Sequence, residues 1–337
     1  MRALVTGGGG FLGGAIARRL RARGDAVLSV SRGHYPELAE LGVEHHALDL
    51  ARGGRALRRL LDGVDAVFHC AARPGVWGPP ESYLAPNLDG TQEVVAAAAR
   101  AGVRALVHTS SPSVCFDGTS HRRARSLPLA RRFLASYPES KARAEELVLR
   151  ALGPDLPGTI LRPHLLFGPG DPHLVPRLLD RAHAGGLVRV GSADGANAAT
   201  EVSLCYIDTA ASAHVAAADQ LLAEGAGAPV AGRAYFLAQR EQVDLWAWIG
   251  ELLDGLDAPR PRRRISARAA RMVGAVLEAA GRLTGRIEEP TLTRFVAAQL
   301  STSHSYDMGP LEHDLGWRED VDMATATART IAAFAVR

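Results

Sequence analysis

The feature that most constrains this chain is a glycine run directly behind its first apolar segment. Residues 2–6 (RALVT) read as a short strand. Gly7-Gly8-Gly9-Gly10 follows at once and leads into 11–22 (FLGGAIARRLRA), where Phe11, Ile16 and Leu20 recur at helical spacing. Glycines at 7, 10 and 13 meet three separate needs of a strand–loop–helix turn around an anion. One makes the tight turn, one lets backbone approach a pyrophosphate, and one lets helix pack on strand, while the helix dipole and the first amides, those of Phe11 and Leu12 included, hold the charge. A glycine run alone is only a flexible turn; in this context it implies a dinucleotide.

The alternation continues. Residues 26–31 (AVLSVS), 43–47, 65–70 (DAVFHC), 104–109 (RALVHT) and 158–162 read as strands, with helical segments near 55–61, 87–101 and 138–151. Such a rhythm predicts an α/β fold with a Rossmann doubly wound parallel sheet. After Arg162 it breaks at the turn-rich Phe167-Gly168-Pro169-Gly170-Asp171-Pro172. A length of 337 residues suits two lobes. The expected division is a dinucleotide-binding domain over 1–165, to whose sheet 205–240 returns, and a smaller mixed C-terminal substrate lobe over 166–337. Helices are expected near 244–254, 265–283 and 290–300.

The second strand ends Val30-Ser31-Arg32, where a carboxylate would accept ribose hydroxyls; a hydroxyl and a guanidinium suit a 2′-phosphate instead. NADP(H) is therefore preferred, with NAD(H) possible and a solvated surface Arg the alternative reading. Asp49, followed by Leu50, suits either the adenine amino group or a helix N-cap. Of the 39 basic residues a single one, Lys141, is lysine. It falls in Tyr137-Pro138-Glu139-Ser140-Lys141, where four-residue spacing puts both side chains on one helix face. A nearby ammonium lowers a phenol's pKa, so the pair predicts a Tyr that exchanges a proton with a substrate oxygen. The fifth strand ends Thr109-Ser110-Ser111-Pro112-Ser113-Val114, whose hydroxyls point into the crevice at the sheet's carboxyl end.

In order and spacing these residues, with Leu161-Arg162-Pro163 and Gly168-Pro169-Gly170-Asp171, resemble the extended short-chain dehydrogenases/reductases. The resemblance implies that Ser111, Tyr137 and Lys141 are catalytic, with Lys141 on the nicotinamide ribose, and that Asn87 supports a proton relay. It places Ala71 and Ala72 of His69-Cys70-Ala71-Ala72 along the cofactor, and Pro163 and Leu166 beside the nicotinamide. The chain is most similar to the 3β-hydroxysteroid dehydrogenase branch. Within that branch it resembles the bacterial reductases of long-chain olefin biosynthesis, through Arg32-Gly33-His34-Tyr35-Pro36-Glu37-Leu38, Gly75-Val76-Trp77-Gly78 and Glu289-Pro290-Thr291-Leu292-Thr293-Arg294-Phe295. This makes Val76, Trp77, Ser113 and His164 candidate substrate contacts. It implies NADPH-dependent reduction of a long-chain 2-alkyl-3-oxoalkanoic acid, a hydrophobic keto/hydroxy acid. The alternatives are a 3β-hydroxysteroid or sterol-carboxylate dehydrogenase, then a sugar-nucleotide epimerase or dehydratase, or a non-catalytic dinucleotide sensor. The chain departs from the pattern at His121-Arg122-Arg123-Ala124-Arg125, at Thr209 and at His164.

Two further stretches carry a choice. Residues 265–283 place Ile265, Ala269, Met272, Val273, Val276, Leu277, Ala280 and Leu283 at helical spacing, with Arg268, Arg271 and Arg282 elsewhere around the helix. They read either as a core or dimer helix or as one that meets a membrane or partner enzyme. The arginines at 122, 123, 125, 131 and 132 suit a carboxylate or phosphate, or a solvated loop. Net charge is only +3 and aromatics 5%, which argues against nucleic acid. Cys70, Cys115 and Cys205 are too scattered for a disulfide frame or metal site, and no apolar run of spanning length occurs. A cytoplasmic homodimer is expected.

Overall fold

The structure, a computed structural model, describes residues 1–195, 198–285 and 288–335. Among these, seven strands form the main sheet: β1 (Arg2–Thr6), β2 (Ala26–Ser31), β3 (Glu44–Ala47), β4 (Ala66–His69), β5 (Ala105–Thr109), β6 (Gly158–Pro163) and β7 (Ala234–Leu237). They lie in the order β7-β6-β5-β4-β1-β2-β3, each neighbouring pair parallel. Alternate residues feed opposite cores. Ala3, Val5, Ala105 and Val107 enter one layer and Leu4 and Leu106 the other, which is why these strands read as unbroken apolar runs. The first layer is closed by α1 (Phe11–Ala22) and by the helix Ile207–Glu224, whose buried alanines 210, 213 and 217 let it approach closely. The second is closed by α2 (Gly90–Ala101) and α3 (Ser136–Ala151), through Val94, Ala98 and Val148.

Strand order reverses between β1 and β4, whose ends Thr6 and His69 lie side by side, and this opens a crevice at the carboxyl edge. Hydrogen bonds pin that edge. The Thr6 hydroxyl lies 2.7 Å from His69 Nδ1, and His69 Nε2 lies 2.8 Å from the Thr91 hydroxyl, which itself donates to the Asn87 carbonyl. The Ala71 N–H donates back to Thr6 Oγ1, so the start of the 71–79 loop is fixed against the glycine turn.

A second, mixed sheet orders Gln242–Asp244, Glu201–Ser203, His304–Tyr306 and His121–Ala124. The last strand precedes α3 in sequence, yet pairs with residues from near the carboxyl end. Asp171, in the turn-rich loop, accepts from the N–H groups of His173, Leu174 and Val175 and so starts the helix Leu174–His183. Two helices begin later than their sequence pattern suggests. Thr293 caps the helix Arg294–Gln299 through the Val296 N–H. A π turn over Ala85–Asp89 precedes α2. No helix among the described residues is long and apolar enough to cross a membrane.

Candidate active site

The crevice holds two adjoining cavities, about 580 and 360 Å³, which share Gly7, Gly10, Cys70 and Ala72. Gly7, with φ +74°, takes a conformation that side chains resist, and a Cβ there would lie 2.9 Å from the Ala71 backbone. A Cβ on Gly13 would collide with the Gly7 carbonyl. Gly10 opens α1 with no side-chain cap and no acidic residue in the first turn, so the first amides are left for an anion from the cleft. The cradle fits a pyrophosphate, and the two cavities fit the halves of a dinucleotide.

The larger cavity is lined by Ser31, exposed Arg32, Asp49, Leu50, Ala71 and Ala72. Ser31 Oγ accepts from the Gly9 N–H at 3.3 Å. Asp49 caps the short turn Leu50–Arg52 through the Ala51 N–H, as its N-cap reading expects, and also lines the cavity. Tyr35, to which the sequence reading gave no role, closes this end. Its ring lies against Gly9 and meets His45 edge-on at 5.4 Å.

The smaller cavity gathers Phe11, Leu12, Gly13, Ser111, Tyr137, Lys141, Pro163 and Leu166. His173, held by the Asp171 cap, also lines it and was missed; the only signal was its place just after the Gly168–Pro172 turn. Ser111 Oγ accepts from both the N–H and the hydroxyl of Ser113, at 3.2 and 3.0 Å, and hydrogen-bonds Tyr137. With both lone pairs engaged, Ser111 has its own proton to donate. Ser110, its neighbour, points the other way and donates to buried Glu145, which also holds Arg162.

Tyr137 and Lys141 share a face of α3, and burial rather than the ammonium dominates the phenol's pKa. Burial pushes Tyr137 up to about 12 against the opposing pull of the Ser111 hydrogen bond. The Lys141 ammonium reaches under the sheet edge to the Thr109 carbonyl, at 2.7 Å. Burial lowers its own pKa to about 8, with Glu145 and Cys70 pulling the other way.

Five expected residues, Asn87, His164, Ser113, Val76 and Trp77, line neither cavity. Asn87 is fully buried and does not line either cavity. Its Nδ2 donates to Ser140 Oγ and the Arg73 carbonyl, and its Oδ1 accepts from the Arg73 N–H, so it ties the 71–79 loop to α3. His164 is turned away from the cleft into the core, where Nε2 meets His304 Nδ1 at 2.7 Å and the ring packs on Tyr306. Strand alternation already sets His164 opposite Pro163, and the break at Leu165, with a φ of +45°, lets Leu165 and Leu166 both line the cleft. Ser113 orients Ser111. Val76 packs beside Phe116 and Phe295, and Trp77 lies under Arg282 and passes its carbonyl to the Tyr83 hydroxyl. The basic cluster is dispersed over the second sheet. Arg122 pairs with Asp194 and Glu201, Arg123 donates to Gln242, Arg125 pairs with Asp307, and Arg131 and Arg132 are exposed.

A dinucleotide cleft that ends at a bonded Ser–Tyr pair defines an NAD(P)-dependent oxidoreductase of the short-chain dehydrogenase/reductase class. Comparison with known proteins narrows this: the chain belongs to the 3-beta hydroxysteroid dehydrogenase/isomerase family, whose pattern matches residues 4–266. It is 42% identical to a 2-alkyl-3-oxoalkanoate reductase of Stenotrophomonas maltophilia, over 99% of this chain and 100% of that one. It is 30% identical to the human sterol-4-alpha-carboxylate 3-dehydrogenase, decarboxylating, over 99% and 88%. Among solved structures, the dTDP-glucose 4,6-dehydratase DesIV of Streptomyces venezuelae, with NAD and TYD bound, superposes with a TM-score of 0.75. There the identity is 26%, over 99% of this chain and 97% of that one.

Proposed function

We propose that this oxidoreductase reduces the 3-keto group of a long-chain 2-alkyl-3-oxoalkanoic acid to the 3-hydroxy acid, using NADPH. The observation that carries the reading is the meeting of Ser111, Tyr137 and Lys141 in the cavity at one end of a cleft whose other end presents Arg32. Likeness to the S. maltophilia reductase along the whole of both chains supports the substrate class.

In this reading residues 1–165, joined by β7, hold the cofactor. Gly7, Gly10, Phe11, Leu12 and Gly13 hold its pyrophosphate. Ser31 and Arg32 take the 2′-phosphate by charge-assisted hydrogen bonds, Asp49 the adenine, and Lys141 the ribose hydroxyls. Ala71 and Ala72 line the cofactor, and Pro163 and Leu166 wall the nicotinamide, which when bound supplies hydride to the carbonyl carbon. Ser111, its lone pairs held by Ser113, donates a hydrogen bond to the substrate oxygen and fixes its position. Tyr137 is kept neutral by burial and gives that oxygen the proton that completes the hydroxyl. The buried ammonium of Lys141 stabilises the phenolate left behind. Asn87 supports the geometry by holding Ser140, whose hydroxyl donates to the Tyr137 carbonyl. Val76 and Trp77 face the alkyl chains, which extend toward residues 166–337.

A second reading, oxidation of a sterol carboxylate, draws on the human relative. Purified protein is offered a long-chain 2-alkyl-3-hydroxy acid, a 3β-hydroxysterol and a UDP-sugar, each with NADP⁺ or NAD⁺. Turnover of the acid with NADP⁺ supports the proposal. Turnover of the sterol alone replaces it with the second reading.

A further inference from the structure

The large apolar side chains exposed among the described residues, Met272, Val273, Val276 and Leu283, all lie on one helix, α4 (Ala267–Leu283). The helix is built inside out for a soluble surface. Its inward face is Ala270, Gly274 and Gly281, all buried. A Cβ on Gly274 would come within 2.7 Å of the Thr293 backbone, and one on Gly281 within 2.8 Å of the Trp77 ring. Small residues thus bring the helix flush onto the protein, while its larger apolar side chains are left outside, where ordinary packing would bury them.

The charges on the helix are one-sided. Arg268, Arg271 and Arg282 flank the apolar stripe, and Arg262 and Arg263 stand exposed just before it. Glu278, its acidic residue, is buried and committed to the Arg294 guanidinium and amide, with Arg282 at 3.4 Å. A second copy of the chain laid on this face would bring arginines against arginines. An anionic lipid surface answers both features at once, taking the apolar stripe below its headgroups and the arginines at their level.

We propose that α4 docks the protein on the surface of a bilayer containing anionic lipids. Docking sets the candidate active site close to that surface: Gly281 rests on Trp77, the Trp77 carbonyl accepts from Tyr83, and the Tyr83 ring meets that of Tyr137 at 6.5 Å. The docking itself stands independently of the substrate. That the enzyme collects a water-insoluble alkyl substrate there rests on the reading above.

The test is co-sedimentation of the full chain with vesicles of phosphatidylcholine, alone or with roughly one-third phosphatidylglycerol. Binding to the anionic vesicles is expected to be at least tenfold stronger than to the neutral ones and to weaken at high salt. It should fall at least tenfold in Met272→Ser/Val276→Ser/Leu283→Ser and, separately, in Arg268→Gln/Arg271→Gln, with turnover of a short, soluble hydroxy acid unchanged in both. Absence of binding to either vesicle, or equal binding to both, overturns the proposal. So does loss of self-association in the triple variant, by sedimentation velocity, without vesicle binding in the parent, which would assign the face to a second copy. Because sedimentation needs no turnover, its failure leaves the proposed reaction untouched, and failure of the reaction leaves the docking result standing.

Discussion

Lowering the pH should unfold this protein through histidines that the fold keeps neutral. His69, His214 and His304 are wholly or almost wholly buried, and burial lowers their pKa values from 6.5 to about 3, 4 and 4. Each is a base whose folded pKa is depressed. Its contribution to stability is therefore complete above 6.5 and is lost as pH falls from 6.5 toward 3–4, where only the unfolded chain takes the proton. At pH 5 each gap costs about 2 kcal/mol, so the three together remove about 5–6 kcal/mol between pH 7 and pH 5. That equals the whole stability of many domains, about 5–15 kcal/mol. The assay is urea unfolding followed by circular dichroism at half-unit steps from pH 8 to 5. The expected slope below pH 6 is at least about 4 kcal/mol per pH unit from these three protons, and His108 and His164, also buried and lowered well below 6.5, add to it. His304→Gln should reduce it by about 1.4 kcal/mol per pH unit, the share of one proton. An unfolding free energy that stays level from pH 7 to 5 would refute the reasoning.

Three other outcomes follow from named contacts. Glu145→Gln strips the buried Arg162 of its carboxylate and should cost about 3–5 kcal/mol in urea unfolding at pH 7, while the Ser110 hydroxyl keeps an acceptor. Gly13→Ala drives a methyl group into the Gly7 carbonyl and should weaken dinucleotide binding at least tenfold by fluorescence titration, with the far-ultraviolet spectrum retained. Arg32→Ala should raise the KM for NADP⁺ by about 10–100-fold, the equivalent of a hydrogen bond to a charged group, and leave that for NAD⁺ nearly unchanged.

What could be read from the sequence is what backbone geometry imposes locally. The glycine loop, the parallel sheet and the Tyr137–Lys141 face follow from spacing alone, and the structure places them in one cleft. What escaped was set by distant partners. The arginines after Ser111 looked like a binding cluster because the strand His304–Tyr306, some 180 residues away, which takes His121–Ala124 into the second sheet, is invisible locally. His164 is claimed by His304 and Tyr306, some 140 residues away, on the face opposite Pro163, and nothing local announces those partners. Spacing put Lys141 on the right face but could not say that the Thr109 carbonyl would claim its ammonium, nor that burial would raise the Tyr137 phenol. Tyr35 lay in a recognisable stretch, but its place over the glycine loop depends on how β2 and β3 pair.

The central claim is that Tyr137 moves the proton while NADP(H) carries the hydride. Its most direct test is oxidation of a long-chain 2-alkyl-3-hydroxy acid with NADP⁺, read by reduced-nicotinamide absorbance, in the parent chain and in Tyr137→Phe. The account predicts turnover in the parent and a fall in kcat of about 10²–10⁴ in the variant, with NADP⁺ affinity preserved. A Tyr137→Phe protein that oxidises the acid at the parent's rate would contradict it.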